Sequence, residues 1–579
     1  MKISQLSGRL ALILVPAFLL VLIVINGVNV PFWDEWSMPG EFLTIEKPTF
    51  ADFFKQSNES RLIVPKLIFL GVSKFVGWQP KHYMYLGWLI IVAILFLTYK
   101  LCYQRPARGR VQDGTGLLCL AFSSALLFSP AQFENWLWGL QWVIFVPLLC
   151  ALIAYDMQRR TRSFGMRLGV TVLLNLVGMF SFSNGMILWI VSFPFWREGL
   201  ECLSGRRPSK GEVLRWLAWT SAYFLAALIF VGIYFTDYKN VFPEPPLAFA
   251  LKEPWSVVKY FAAWCGGPIH SNGPMHIAMG IALLLAMLGS LAWVTNLIRR
   301  QPTGMNRLVL SMLYPSVMIM VYALGSGMMT ALGRASFGVD QAYSSRYLFH
   351  SGTLWVGFIA ALNTHRLLAV RMRREAGNLR AVLVGALVVF SLLLVRTWNH
   401  FYKQFDSLKI ARTQTLLNVR MLSVAPKSPM VARTCPWLDL PALIKTLAEK
   451  RLYNPSPYGE WLVEALKHPR RAIGGQVHLL PRTDPEIAIT GWAISPEKNR
   501  PADSLLICRR NQAGLLEPFI MVAVGFKNNE VIRDTGNKSL RNSGFLETFR
   551  WPEPNGFGSA ELFSVDEGSR LLYPVKRIP

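Results

Sequence analysis

The sequence predicts an α-helical polytopic membrane protein with a C-terminal extracytoplasmic α+β tail. Three observations predict it. Of 579 residues, 52% are hydrophobic and only 16% are charged. Uncharged stretches of about 15–20 residues recur from Leu10 to Val395, close to the length a helix needs to cross the hydrocarbon core. The last third of the chain is polar and holds the mean hydropathy down to +0.33.

The formal charge of +26 is distributed in a way that fits the same class. Much of it falls in short loops between apolar runs: Arg105, Arg108 and Arg110; Arg159, Arg160, Arg162 and Arg167; Arg206, Arg207 and Lys210; Arg299, Arg300 and Arg307; Arg371, Arg373, Arg374 and Arg380. The positive-inside rule makes those loops cytoplasmic. No continuous basic domain is left over, so no nucleic-acid partner is expected.

In chain order, the basic start MKISQLSGRL precedes an apolar segment of about 20 residues with no small-residue cleavage site, which reads as a retained first helix. Candidate spans follow at about 10–30, 84–100, 115–129, 141–156, 168–182, 185–196, 216–235, 276–298, 308–328, 347–366 and 380–397. These are about 11 transmembrane helices, an odd number, so the amino terminus is expected inside and the tail outside. Residues 62–78 are left out as a surface-lying or re-entrant helix. Residues 1–397 form the transmembrane domain.

Beyond Arg396 the pattern changes. Residues 398–471 read as a linker region of short helices broken by prolines. From 472 to 579, short alternating runs such as IAITGWA and FIMVAVGF, separated by Pro, Gly and Asn, read as a small β-sandwich. Seven cysteines define no disulfide framework; Cys435 and Cys508 lie in the exported tail, where they are free to pair.

The longer or more polar loops, 31–83, 130–140, 236–275 and 329–346, are all extracytoplasmic in this topology, which places the chemistry on that face. PFWDEW (31–36) sets Asp34 and Glu35 between tryptophans at the mouth of the first helix. An interfacial anchor is one reading. The other is a general base, because adjacent acids raise each other's pKa and an Asp beside apolar surface suits a hydroxyl nucleophile. In NESRLIVPK, Glu59 and Arg61 either flank a helix start or bring a guanidinium to a phosphate. In QFENWLWGLQW, Glu134 and Gln141 with Trp136, Trp138 and Trp142 form either an aromatic belt or a saccharide pocket. In GRASFGVDQAYSSRY, Arg334 and Arg346 lie where positive charge is disfavoured, which points to an anionic partner. That partner is Asp340 or a lipid phosphate, the latter with Ser344, Ser345 and Tyr347 as further donors. His82, His270 and His276 are scattered without metal-ligand spacing, so no metal or other cofactor is expected.

An acidic pair just after helix one, on about a dozen spans with an exported tail, resembles the GT-C superfamily of integral-membrane glycosyltransferases. That superfamily includes the protein mannosyltransferases and the aminoarabinose transferases of lipid A. The pattern WDEW, NESR, ENWLWGLQ, GRASFG and SSRY also resembles a group of bacterial membrane proteins with this layout. The resemblance implies a bacterial cytoplasmic (inner) membrane enzyme that moves a sugar from a polyprenyl-phosphate carrier to a glycan, lipid or protein acceptor on the extracytoplasmic face. Asp34 would then be the base, supported by Glu35, with the phosphate held by Arg334, Arg346 or Arg61. Two rival readings are a transporter or flippase for a lipid-linked saccharide, and a non-catalytic envelope-glycan assembly protein whose active part is the β tail.

Overall fold

The computed structural model describes residues 3–104, 113–203, 208–242, 244–269, 273–300, 303–371, 376–426, 428–480, 486–511, 513–551 and 557–578. His270 and the loop arginines Arg105, Arg108, Arg110, Arg206, Arg207, Arg373 and Arg374 lie outside the described residues. The chain forms two compact units. One comprises 1–25, 49–68 and 82–405; the other comprises 26–48, 69–81 and 406–579.

Among the described residues, eight helices are long and apolar enough to cross a membrane: Pro80–Tyr103, Gly114–Leu137, Gln141–Arg160, Lys210–Tyr234, Pro274–Arg299, Asn306–Phe337, Ser345–Arg371 and Arg380–Ser423. The first helix is Ile3–Asn26, apolar from Leu12 onward, and Phe164–Met179 is a shorter apolar helix. The span expected over 185–196 is absent: the segment folds as a 3-10 turn, Ser183–Ile187, and a four-residue helix, Leu188–Val191. Asn184 and Gly185 at its start and Pro194 near its end leave no room for a long helix. The expected re-entrant segment holds the 14-residue helix Ile63–Val76.

Two kinds of apolar helix can be told apart by burial. The Gly114–Leu137 and Ser345–Arg371 helices are 83% buried over their apolar windows, whereas Lys210–Tyr234 is 6% buried. The latter exposes Leu214, Leu225 and Leu228, and Pro274–Arg299 likewise exposes Leu285, Leu288 and Leu291. Apolar surface on that scale is unfavourable in water and suits lipid chains. The architecture is consistent with a polytopic membrane protein carrying a β tail. Several basic residues near helix ends hold specific partners: Arg167, 2% exposed, grips Glu198 with two hydrogen bonds of 3.1 and 2.7 Å. Arg366 likewise grips Asp113, which also caps the helix starting at Gly114.

In the second unit, eight strands follow the short helices Leu440–Glu449 and Glu460–Lys467. They are β1 (Gly475–Leu480), β2 (Glu486–Ser495), β3 (Arg500–Pro501), β4 (Ser504–Arg510), β5 (Leu516–Ala523), β6 (Gly544–Arg550), β7 (Glu561–Asp566) and β8 (Leu571–Ile578). The expected β-sandwich is corrected here. The strands join in one sheet, ordered β3-β2-β1-β8-β7-β4-β5 with β6 on β2. Strand β8 pairs with both β1 and β7, joining what would otherwise be two separate sheets. A bridge from Phe526 to Gly544 carries the far edge back to the start of β6, so the sheet curls into a half-barrel.

The period of two explains the filling of that curl. Val477, Ile489, Leu505, Ile507, Val522, Phe545 and Val575 share one core. Leu506, Cys508, Met521 and Phe563 form a second core with Leu462 and Leu466 of the preceding helix. Strand β4 is therefore covered on both faces, which is why SLLIC reads as a continuous apolar run rather than an alternation. Cys435 and Cys508, expected as a possible pair, are both free and buried.

Candidate functional site

The acidic pair belongs to the second unit. After the first helix, Trp33–Glu35 forms a single 3-10 turn. Glu35 closes that turn: its Oε2 accepts the Phe32 N–H at 2.8 Å, which satisfies a donor that the turn leaves open. The side chain is 0% exposed, and its Oε1 makes no hydrogen bond among the described residues. Asp34, one residue earlier, is only half-buried. The two carboxylates therefore stand in different environments.

Burial pushes the Glu35 carboxyl up to about 7, against the pull of Arg412 and the Phe32 N–H. Repulsion from Asp34, the cause that the adjacent acids suggest in the sequence, contributes least. Arg412 is buried on the helix Ala376–Arg420, seven residues before the buried Val419. Its Nη2 donates to the carbonyls of Val28, at 3.1 Å, and Val30. Its Nε and Nη1 make no hydrogen bond among the described residues. Tyr453 stands beside both charged groups with its hydroxyl also unbonded. Its ring packs against Trp36 at 6.0 Å and Trp78 at 5.6 Å.

Beside Asp34 the surface is aromatic. Trp33, 55% exposed, adopts φ 47°, a left-handed conformation that a bulky side chain rarely takes. Its ring lies 6.1 Å from that of Trp437, which is 49% exposed. The Trp437 indole N–H donates to Ser37 Oγ at 3.2 Å. Two exposed indoles held in place beside a solvent-reached carboxylate suit the apolar face of a sugar ring.

The remaining predicted residues lie in the first unit. Arg334 pairs with Glu59 at 3.1 Å, so its carboxylate partner is Glu59 rather than the anticipated Asp340. Arg346 donates to Ser344 Oγ at 3.2 Å and lies over the Tyr347 ring. Ser345 donates to Glu134, and Asn135 Nδ2 donates to the Arg346 carbonyl at 3.3 Å. Tyr260, fully buried, is close enough to Tyr347, Arg334 and Arg346 to feel all three, and its hydroxyl makes no hydrogen bond among the described residues. The SSRY segment thus meets the ENW segment, and Arg334 of GRASFG and Arg346 of SSRY both lie near Tyr260.

Arg61 does not join that cluster. It is 3% exposed, and its guanidinium donates to the carbonyls of Tyr234 at 2.6 Å, Phe54 at 2.5 Å and Thr236. It holds backbone together, which corrects its expected role as a phosphate ligand. Trp136, Trp138 and Trp142 are buried; Trp136 stacks on Phe128 with planes 1° apart. They build the interior, neither an interfacial belt nor a sugar platform. Gln141, half-buried, opens the 3-10 turn Gln141–Phe145.

Sequence reasoning missed Arg412, Tyr453, Trp437 and Tyr260. For Arg412 a signal existed: it shares a helix face with Val419, and an arginine in an apolar stripe asks for a partner. The other three carry no local signal, because only the tertiary fold brings them to these positions. No protein-family model, curated protein or solved structure matches the chain.

Proposed function

We propose that the protein is an integral-membrane glycosyltransferase of the bacterial inner membrane. In this reading it moves a sugar from a polyprenyl-phosphate carrier to an acceptor hydroxyl on the extracytoplasmic face, with its N-terminus cytoplasmic. Asp34 takes the hydroxyl proton, the hydroxyl oxygen attacks the anomeric carbon, and the carbon–oxygen bond to the carrier phosphate breaks. Within the first unit, Arg346, with Tyr347 and Ser344, is assigned an anion-binding role for a lipid phosphate. Arg334 is already matched by Glu59 and is assigned a positioning role.

One observation carries the reading: the half-exposed Asp34 beside two exposed indoles, backed by the buried Glu35, Arg412 and Tyr453 with unbonded polar atoms. Burying charged groups without full pairing is unfavourable by several kcal/mol and is tolerated chiefly where function needs it. The test is the surface-glycan profile of a deletion strain carrying wild-type, Asp34→Asn or Glu35→Gln protein at matched membrane levels. Loss of one sugar, with build-up of its lipid-linked donor, is expected for Asp34→Asn. A wild-type profile from that variant would move the transporter and assembly readings ahead.

A further inference from the structure

The second unit contains a cleft of about 650 Å³, and the sequence gives no hint of it. That volume is in the range of small-ligand sites. Its lining includes Lys74, Lys450 and Arg451 and not one carboxylate. Lys450 Nζ donates to the Thr44 carbonyl, while Lys74 and Arg451 are exposed and form no ion pair among the described residues. Behind the surface of the cleft, the hydroxyls of Ser73 and Tyr453 are buried and make no hydrogen bond among the described residues. The buried Trp78 backs the wall, and three carboxamides complete the lining.

The cleft has a fixed wall. The Trp78 backbone N–H donates to the Leu452 carbonyl at 2.6 Å, which joins the turn after the helix Ile63–Val76 to the turn after the helix Leu440–Glu449. Both turns use left-handed backbone: Gly77 at φ 72° and Arg451 at φ 56°. A Cβ at Gly77 would stand 3.1 Å from the Leu452 carbonyl, so only glycine fits that approach. Arg451 holds a conformation unfavourable for a non-glycine residue, and in doing so the turn presents its guanidinium at the rim while Tyr453 faces inward. Tyr453 also borders Glu35 and Arg412, so the floor of the cleft adjoins the acidic-pair cluster.

We infer that this cleft binds an acidic saccharide, a sugar unit bearing a carboxylate or phosphate. Cations with no carboxylate in the lining select the charge, and the carboxamides of Asn29, Gln79 and Asn454 read the sugar hydroxyls. Its use as the acceptor seat rests on the transferase reading; the binding itself does not.

Calorimetric titration of the full chain in neutral detergent tests the binding, with a glucuronate-containing disaccharide, a neutral disaccharide of the same linkage and glycerol phosphate as probes. The acidic disaccharide should bind saturably, and at least about tenfold more tightly than the neutral one. Its affinity should fall with added salt. Lys74→Gln and Arg451→Gln should each weaken it by about tenfold, and Lys74→Arg should retain it. Asp34→Asn should bind as wild type. Equal binding of the neutral disaccharide, or no binding of either, would overturn the proposal. So would binding of glycerol phosphate alone, which would assign the cleft to a lipid headgroup. Binding that persists while Asp34→Asn still supports a normal glycan profile would sink the transferase reading and leave the cleft standing. An essential Asp34 with no binding would do the reverse.

Discussion

Glu35 and Arg412 are both buried and sense each other's charge, yet they form no ion pair: Arg412 Nη2 is held by the carbonyls of Val28 and Val30, and Glu35 Oε2 by the Phe32 N–H. Each side chain keeps one end bonded to the backbone and one end unbonded among the described residues. A direct bidentate pair would have satisfied both groups and would have drawn the carboxyl pKa down. The separation leaves a carboxyl that titrates near neutrality in the backing of Asp34.

The first prediction follows from that titration. Glu35 has a folded-state pKa of about 7 against an ordinary value of 4.5. Below 4.5 the carboxyl is protonated in both folded and unfolded chains and imposes no penalty. As pH rises from 4.5 to 7 the unfolded chain loses its proton first, so the folded state loses relative stability, by about 3 kcal/mol in all. Glu35→Gln removes this slope. Thermal midpoints of wild type and variant in detergent should agree near pH 4 and diverge by pH 8, with the variant higher. Parallel curves would contradict the burial argument.

Arg412→Met is the complementary experiment. It removes a buried guanidinium but frees the carbonyls of Val28 and Val30 and takes away the cation that lowers the Glu35 pKa. Loss of about 3 kcal/mol is expected, in the range for breaking a buried charge cluster. The midpoint of the Glu35 titration should also rise. Adding Glu35→Gln to Arg412→Met should recover part of the stability, because no uncompensated carboxylate then remains.

Arg61 and Arg346 separate structure from function. Arg61→Gln leaves carbonyls of Phe54, Tyr234 and Thr236 without their donor. It should cost about 2–4 kcal/mol and reduce the amount of folded protein in membranes. Arg346 bonds to Ser344 and makes no ion pair among the described residues. Arg346→Gln should therefore leave the amount of folded protein unchanged and, on the proposed transferase reading, lower the sugar transfer seen in the glycan profile by at least about tenfold. If Arg61→Gln instead gave normal amounts of inactive protein, the structural assignment of that residue would be wrong.

What could be read in advance, and what could not, follows the range of the forces involved. Helices such as Pro80–Tyr103 were legible because crossing lipid needs a long apolar run, a property of consecutive residues. The segment SNGMILWIVSFPFW is just as apolar, but its Asn, Gly and Pro break it into turns, so composition alone misjudged it. Period-two runs exposed the strands, yet they are silent on whether a strand such as β8 stitches two ladders into one curled sheet. PFWDEW drew attention by its residue types. That Glu35 is buried while Asp34 stays partly exposed depends on a hydrogen bond within the turn and on a helix nearly 400 residues further along the chain. The tryptophans of ENWLWGLQW look identical whether they line an interface or fill a core, and here they fill a core.

Asp566 tests the β tail independently of any catalytic assumption. It is fully buried at the end of β7 and accepts hydrogen bonds from Ser495 Oγ at 2.6 Å, Lys498 Nζ at 3.0 Å, Arg500 Nη2 at 3.2 Å and the Ser569 N–H at 3.0 Å. Burial alone would push its carboxyl up, but these donors together hold it down at about 2. A depressed folded-state pKa contributes stability that is present above the ordinary value of 3.8 and is lost as pH falls toward 2. Asp566→Asn keeps the shape but loses the charge that Lys498 and Arg500 face. It should lower stability at pH 7 by about 2 kcal/mol, the free energy that corresponds to the lowered pKa. The deficit should shrink as pH approaches 2, where the wild-type carboxyl is itself protonated. Hydrogen exchange of the β7 and β8 amides across that pH range gives the readout, and a pH-independent deficit would mean that shape rather than charge holds the end of β7 in place.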